Sequence, residues 1–371
     1  MERQSTIGRI NGMYDHLLRL IAYSGNCAYQ VVKYNGRSRS YNAKMIAMAE
    51  ADGFLVRIPM KNKVRASYRL TKAGYEYITG TLTKAGITES EIQRHYRLSR
   101  AQSNPTEYRR NLALSQIASL FQNIGAALYP DEEGYYMYQE ESRQQQIIIK
   151  PQKYCFVRSE FLRTQDEIAA DENATIGTRS QGVLITPKFN MEVYFFDRQQ
   201  LRISRAAEER YHSRCIEYLA CTGNPIYALY IFSDEETMRG FMEKTLTAYG
   251  YLNPYNSRCD RLYAHLLTQS AIDPAVFLSL IKSIEAQLSR ERKAKEQQEA
   301  TGQIAPIPYH NMTALDIAYL NRLNTHYAES KHPVKIQTLS AYVDMVDRFC
   351  REQIGSKLCV TVPDFFEDFE G

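Results

Sequence analysis

The chain contains no tryptophan, no Cys-x-x-Cys pair and no His-x-His pair. Its seven cysteines (Cys27, Cys155, Cys215, Cys221, Cys259, Cys350 and Cys359) are scattered and odd in number. That spacing argues against a zinc module or a disulfide framework. The cysteines are expected to serve as small buried hydrophobes. No apolar run reaches the roughly 18 residues needed to span a bilayer. The first turns of the chain carry charges throughout and lack the apolar core of a leader. The expectation is a cytoplasmic chain without membrane contact. The phosphate loop GxxxxGK[ST], the GxSxG elbow and the HExxH zinc motif are also missing. No cofactor or catalytic residue is expected.

Charge is plentiful and unevenly placed. The 371 residues carry 46 Lys and Arg against 42 Asp and Glu, a net +4. Residues 1–110 hold 19 basic and 8 acidic residues, a net +11, which leaves 27 against 34, a net −7, for the remainder. A basic N-terminal module on an acidic body points to an anionic partner for the first part, and nucleic acid is the commonest.

The first 80 residues read as a sequence of short elements. Tyr14, Leu17, Leu18, Ile21 and Ala22 recur at helical spacing, so a helix is expected over 12–23, broken by Ser24-Gly25-Asn26. A second helix is expected from Ala28 to Tyr34. A third follows, capped by Ser38 or Ser40 and ended by Gly53. Asn42, Ile46 and Ala49 share its buried face, while Ser40, Tyr41, Lys44 and Met48 lie opposite. Phe54-Leu55-Val56 starts a strand, Asn62 marks the tip of a basic turn, and 66–70 returns as the second strand. Thr71 caps a fourth helix.

Two stretches carry a family resemblance. "MAEADGFLV" is a helix closed by glycine and followed by an apolar strand. "YRLTKAGYEYI" is a strand-to-helix exit of the form Tyr-x-Leu-Thr-x-x-Gly. Together they resemble a winged helix-turn-helix domain, over about a fifth of the chain. The resemblance implies binding of double-stranded DNA. A helix in the major groove offers its outer side chains to base edges, and the candidates are Ser40, Tyr41, Asn42 and Lys44. Arg37 and Arg39, ahead of the helix, are placed to meet phosphates. Arg57, Lys61, Lys63 and Arg65 form a basic wing, whose contacts position without specifying sequence. Docking of a protein on the same module is the alternative.

Beyond residue 80 the expectation is a connecting helix or linker over 81–110, opened by a Thr88–Glu91 capping box and broken at Asn104-Pro105. An α/β domain follows over 111–252: a helix from Leu112 to Leu128, a strand at 135–139, a further short candidate at 153–157 outside the counted order, and a hairpin of "QGVLITP" and "MEVYFFD". After it come a helix from Ala206 to Ala220, the strand "PIYALYIF" and a helix capped by Ser233 or Asp234. This α-β-β-β-α-β-α order resembles the restriction-endonuclease-like fold. A winged helix followed by such a core resembles the replication-relaxation family of plasmids and conjugative elements. The nuclease chemistry of that fold needs an Asp on one strand and Glu-x-Lys on the next, holding a divalent metal. Here Glu192 is followed by Val193 and Tyr194, and Asp197 is the one plausible ligand left. A single carboxylate holds Mg²⁺ poorly.

Residues 253–371 are expected to be helical. One helix starts at Asp273-Pro274 and runs on into the polar "SRERKAKEQQEA". Two more are expected at 313–328 and 336–353, the last with an apolar stripe from Leu339 to Cys350. The tail "VPDFFEDFEG" mixes aromatic and acidic residues, a composition suited to a protein partner. A second copy of the chain is the other candidate partner. The resulting expectation is a multi-domain α+β, non-enzymatic DNA-binding protein of a mobile element, acting in plasmid replication, transfer control or transcription regulation. A divergent metal-dependent nuclease and a protein-interaction scaffold are the alternatives.

Overall fold

The structure, a computed structural model, describes residues 15–29, 31, 39–58, 67–98, 105–135, 151–162, 179–198, 205–241, 262–268, 273–301, 310–312, 315–316, 334–338 and 358–361. It is a mixed α and β protein. The N-terminal part runs α1 (Asp15–Ser24), β1 (Cys27–Ala28), α2 (Arg39–Ala51), β2 (Leu55–Ile58), β3 (Ser67–Leu70) and α3 (Lys72–Lys84). α1 buries Leu17, Leu18, Ile21 and Ala22, as their spacing predicts. It stops at Gly25, whose φ of 81° lies in the left-handed region.

Ala28 departs from expectation. It belongs to a strand, with Cys27 opposite Tyr68 and Ala28 opposite Ser67, and does not open a helix. Of the rest of that expected helix, Tyr29 lies in a turn and Val31 is helical, while residues 30 and 32–34 lie outside those described. α2 closes through Gly53: the Gly53 amide donates to the Glu50 carbonyl at 3.0 Å and the Phe54 amide to the Ala49 carbonyl at 2.9 Å. This six-to-one closure consumes the orphan carbonyls at a helix end. β2 and β3 pair antiparallel from Leu55–Leu70 to Ile58–Ser67. The three short strands form one sheet in the order β1-β3-β2. Thr71 caps α3, its hydroxyl accepting from the Gly74 amide at 3.0 Å.

The stretch 81–110 is largely built into helices. α4 (Glu89–His95) opens with the expected capping box between Thr88 and Glu91. α5 (Pro105–Asn123) starts at the proline that was expected to break a helix. At the first helical position a proline sacrifices no hydrogen bond and its fixed φ suits the helix. The boundaries expected at 80 and 110 therefore fall inside α3 and α5. Of the strand expected at 135–139, Tyr135 is helical and the other residues lie outside those described.

The second sheet holds β4 (Cys155–Arg158), β5 (Ser180–Ile185), β6 (Asn190–Phe196), β7 (Ile226–Phe232) and β8 (Leu262–Leu266). β4, β5 and β6 form an antiparallel meander. α6 (Arg205–Leu219) then carries the chain to β7, which lies parallel to β6, and β8 lies parallel to β7. Parallel neighbours require such a crossover. Residues 235–241 are helical, and the Asp234 carboxylate caps them by accepting from the Thr237 amide at 2.8 Å. One face of the sheet packs on α5 and on α7 (Ala275–Thr301), where Phe121 meets both Phe156 and Phe277. On the other face Val183 and Ile185 pack with Tyr211, Cys215 and Leu219 of α6. Burial on both sides explains why these strands read as continuous apolar runs.

The C-terminal region departs most from expectation. β9 (His310–Met312), β11 (Val334–Thr338) and β12 (Leu358–Thr361) form a parallel sheet in the order β12-β11-β9. β10 (Leu315–Asp316), where a helix was expected, adds antiparallel to β8 at the edge of the larger sheet. "VKIQT" alternates apolar and polar side chains and favours a strand where the last expected helix was to start. The Leu339–Cys350 stripe and the acidic-aromatic tail past 361 lie outside the described residues.

Candidate nucleic-acid interface

α2 has two distinct faces. Ser40, Ala43, Lys44 and Ala47 are exposed, and Tyr41 is 36% exposed. Met45, Ile46 and Ala49 are buried. Asn42 is 4% exposed and shares their side. Four and seven residues separate it from Ile46 and Ala49, so it falls on the core stripe. This corrects its place among the base-reading candidates. Arg39 opens the helix, and Arg37 lies outside the described residues. On the hairpin, Arg57 is exposed as the third of the four residues of β2. Lys61, Lys63 and Arg65 fall in 59–66, also outside. The fold thus gathers Ser40, Tyr41 and Lys44 on one helix face, with the exposed Arg57 on the strand that follows.

Several contacts fix this surface from below. Phe54 stacks on Tyr77 at 4.6 Å, holding the α2–β2 corner against α3. The Tyr77 hydroxyl donates to Asp15 at 3.0 Å, which ties α3 to α1. The Ser67 and Tyr108 hydroxyls share a hydrogen bond of 2.5 Å, linking the hairpin to α5. Tyr29, which sequence reasoning did not single out, stands 41% exposed just past β1 and stacks on Tyr68 at 6.2 Å. Only its cross-strand neighbours distinguish it from the other tyrosines.

Deeper in, two arginines bridge α1 to later parts of the chain: Arg19 from α1 itself, and Arg158 from β4 of the larger sheet. Arg19 donates to the Tyr96 hydroxyl at 2.8 Å, pairs with Asp131 and lies over the Tyr129 ring at 3.9 Å. Arg158 is 1% exposed. It donates to the main-chain carbonyls of Tyr23 at 2.5 Å and Arg94 at 3.3 Å. Its guanidinium also lies over the rings of Tyr23 and Phe161. Glu160 stands 4.0 Å away and pairs more closely with Arg97. Burial lowers the pKa of Arg158, and the carbonyls and ring faces offset part of that cost. His95 packs on Phe161, and burial, followed by Arg158, Arg94 and Arg19, pushes its pKa down to about 3. It is neutral at pH 7.

A second polar cluster sits between β6 and α6. Glu192 is fully buried, with one oxygen 2.5 Å from His212 Nδ1. Its other oxygen accepts from the Tyr194 hydroxyl at 3.0 Å. Asp197 is half-buried just past the end of the same strand. Among the described residues no three His, Cys, Asp or Glu side chains are grouped to hold a metal ion. Nor is any described helix long and apolar enough to cross a membrane.

No family model, curated protein or solved structure matches this chain.

Proposed function

We propose that this chain binds duplex DNA through α2 and the β2–β3 hairpin, used as a winged helix-turn-helix. The observation that carries this reading is the division of α2 into a packed face and an open face bearing Ser40, Tyr41 and Lys44. A helix with a firmly seated back and a polar, basic front suits insertion into the major groove. The hairpin follows α2 within four residues and supplies Arg57 together with the basic 59–66 segment. A net +11 over residues 1–110 supports the choice of an anionic partner.

The larger sheet acts as a scaffold in this reading. Its helix-meander-crossover-strand order supports a core resembling the restriction-endonuclease-like fold. Glu192, the carboxylate on the strand where such enzymes carry metal ligands, is engaged by His212 and Tyr194 inside the protein. The resemblance to replication-relaxation proteins directs the activity to control of plasmid replication, transfer or transcription in the cytoplasm.

Fluorescence anisotropy with random duplex DNA tests the proposal. Binding is expected to weaken steeply between about 50 and 200 mM salt, because released counterions drive phosphate contacts. Replacing Lys61, Lys63 and Arg65 together with Ala should reduce affinity and shallow the salt slope by about 0.9 per lost phosphate contact. Absent or salt-independent binding would move the module to protein docking. Mg²⁺-dependent cleavage of the probe would restore the nuclease alternative.

A further inference from the structure

Three side chains lie in a row across the three-stranded sheet. Arg57 on β2 stands directly opposite Tyr68 on β3, and Tyr68 stands opposite Cys27 on β1. Tyr29 follows β1 by one residue, and its ring folds over that of Tyr68 with the planes 30° apart. The Arg57 guanidinium lies over the Tyr29 ring, 5.9 Å from its centre. Tyr68 is buried beneath this arrangement, while Tyr29 and Arg57 remain exposed. No carboxylate pairs with Arg57 among the described residues.

A tyrosine at 41% exposure with its ring against two neighbours is poorly placed to stack on a nucleobase. With the ring so engaged, the hydroxyl is the group through which Tyr29 would meet a ligand. An arginine resting on a ring keeps its N–H donors free at the rim of the guanidinium plane. A hydroxyl donor beside a fork of cationic donors matches the oxygens of one phosphate. The ring also limits the rotamers of Arg57 before binding, so less freedom is lost when a phosphate arrives.

We infer that Tyr29 and Arg57 form a preassembled clamp for one backbone phosphate of duplex DNA, next to the face of α2 that reads the groove. This inference rests on the DNA-binding reading above and extends it to a tyrosine outside both the helix and the wing tip. The clamp contributes position and affinity without sequence preference, because it addresses a phosphate.

The two residues should behave as a unit. Arg57→Ala removes a charge, so the slope of log affinity against log salt should fall by about 0.9. Tyr29→Ala removes only the platform and the hydroxyl. It should weaken binding about three- to tenfold and leave the salt slope within about 0.3 of wild type, since no phosphate charge is uncovered. Tyr29→Phe keeps the ring under Arg57 but loses the hydroxyl donor, and should recover only part of the loss. The double variant Tyr29→Ala with Arg57→Ala should bind no more than about twofold worse than Arg57→Ala alone, because each residue acts through the other. The measurement is anisotropy on the full chain with duplex DNA, with melting temperatures recorded to confirm folding. Losses that multiply independently in the double variant would overturn the clamp. So would wild-type affinity in both Tyr29→Phe and Arg57→Ala, a pair that remains informative should Tyr29→Ala fail to fold. If wild-type protein binds, and Lys44→Ala weakens it while Tyr29 and Arg57 are silent, the clamp fails and the DNA-binding reading stands. If wild-type protein does not bind at all, both fail.

Discussion

Arg158 at the end of β4 hydrogen-bonds the main-chain carbonyl of Tyr23 near the end of α1, 135 residues earlier in the chain. A buried guanidinium held by a carbonyl from one half of the molecule and rings from both halves is a cross-brace. Its removal exposes the Tyr23 and Arg94 carbonyls to an apolar surrounding with no partner. Arg158→Ala should therefore destabilise the protein by about 2–5 kcal/mol, from the unsatisfied carbonyls and the cavity left behind. Arg158→Met should cost less, because it refills the volume. Urea denaturation followed by circular dichroism decides it, and a loss under about 1 kcal/mol for the alanine variant would refute the bracing role.

Two glycines of α3 should respond in opposite directions. A Cβ on Gly74 would stand 2.1 Å from the Phe54 carbonyl oxygen, a backbone atom with little room to retreat. Gly74→Ala should destabilise by about 1–3 kcal/mol despite alanine's better helix propensity. A Cβ on Gly80 would meet nothing within 4 Å, so Gly80→Ala should stabilise by up to about 1 kcal/mol. Thermal melts of the two variants give the sign directly.

Asn42 and its neighbours on α2 separate stability from binding. Asn42→Ala removes a buried amide and should cost about 1–3 kcal/mol of stability. The folded variant should keep wild-type DNA affinity. Tyr41→Ala and Lys44→Ala should leave the melting temperature within a few degrees and weaken DNA binding. Paired melting and anisotropy measurements would reveal a reversed pattern if Asn42 read bases after all.

Acid should loosen the fold through two histidines. Burial pushes His265 down to about 3, and burial with nearby arginines does the same to His95. Unfolded histidine takes up its proton near pH 6.5. Between those values the unfolded chain holds more protons than the folded one, so stability is full above about pH 6.5 and declines as pH falls. Each histidine contributes a slope of up to about 1.4 kcal/mol per pH unit in that window. Urea midpoints near pH 7.5 and pH 5, above most carboxylate titration, should show the decline, and His95→Gln should make it shallower. An unchanged slope in that variant would mean His95 is already charged in the folded state.

What could be read from the sequence was local. The closure of α2 by Gly53, the Thr71 cap, the Thr88–Glu91 box, the meander hairpin and the Asp234 cap each depend on a few adjacent residues. The inner face of α2 was legible because Asn42, Ile46 and Ala49 recur at helical spacing. The break expected at Asn104-Pro105 coincides with the start of α5, because a residue that breaks a helix from inside suits its first turn. "VKIQT" was absorbed into the apolar stripe that follows it, although its own period is two. Tyr29 escaped because its significance lies in Tyr68 and Arg57 on neighbouring strands. Glu192 was set aside for lacking a lysine two residues on, whereas its partner His212 comes from the following helix. Cross-strand and cross-domain pairing leaves no mark on local periodicity.

The continuity of the core has a directional consequence. Side chains from α1, α3, α5, the meander and α7 belong to one buried cluster. Two bodies on a tether swing independently, but two bodies that share an interior keep one bearing. DNA seated on α2 would then run at a set compass heading relative to the strands of the larger sheet. α7, packed on that sheet, would leave the DNA axis at an equally constant angle, so whatever docks along it would meet the duplex from a single side.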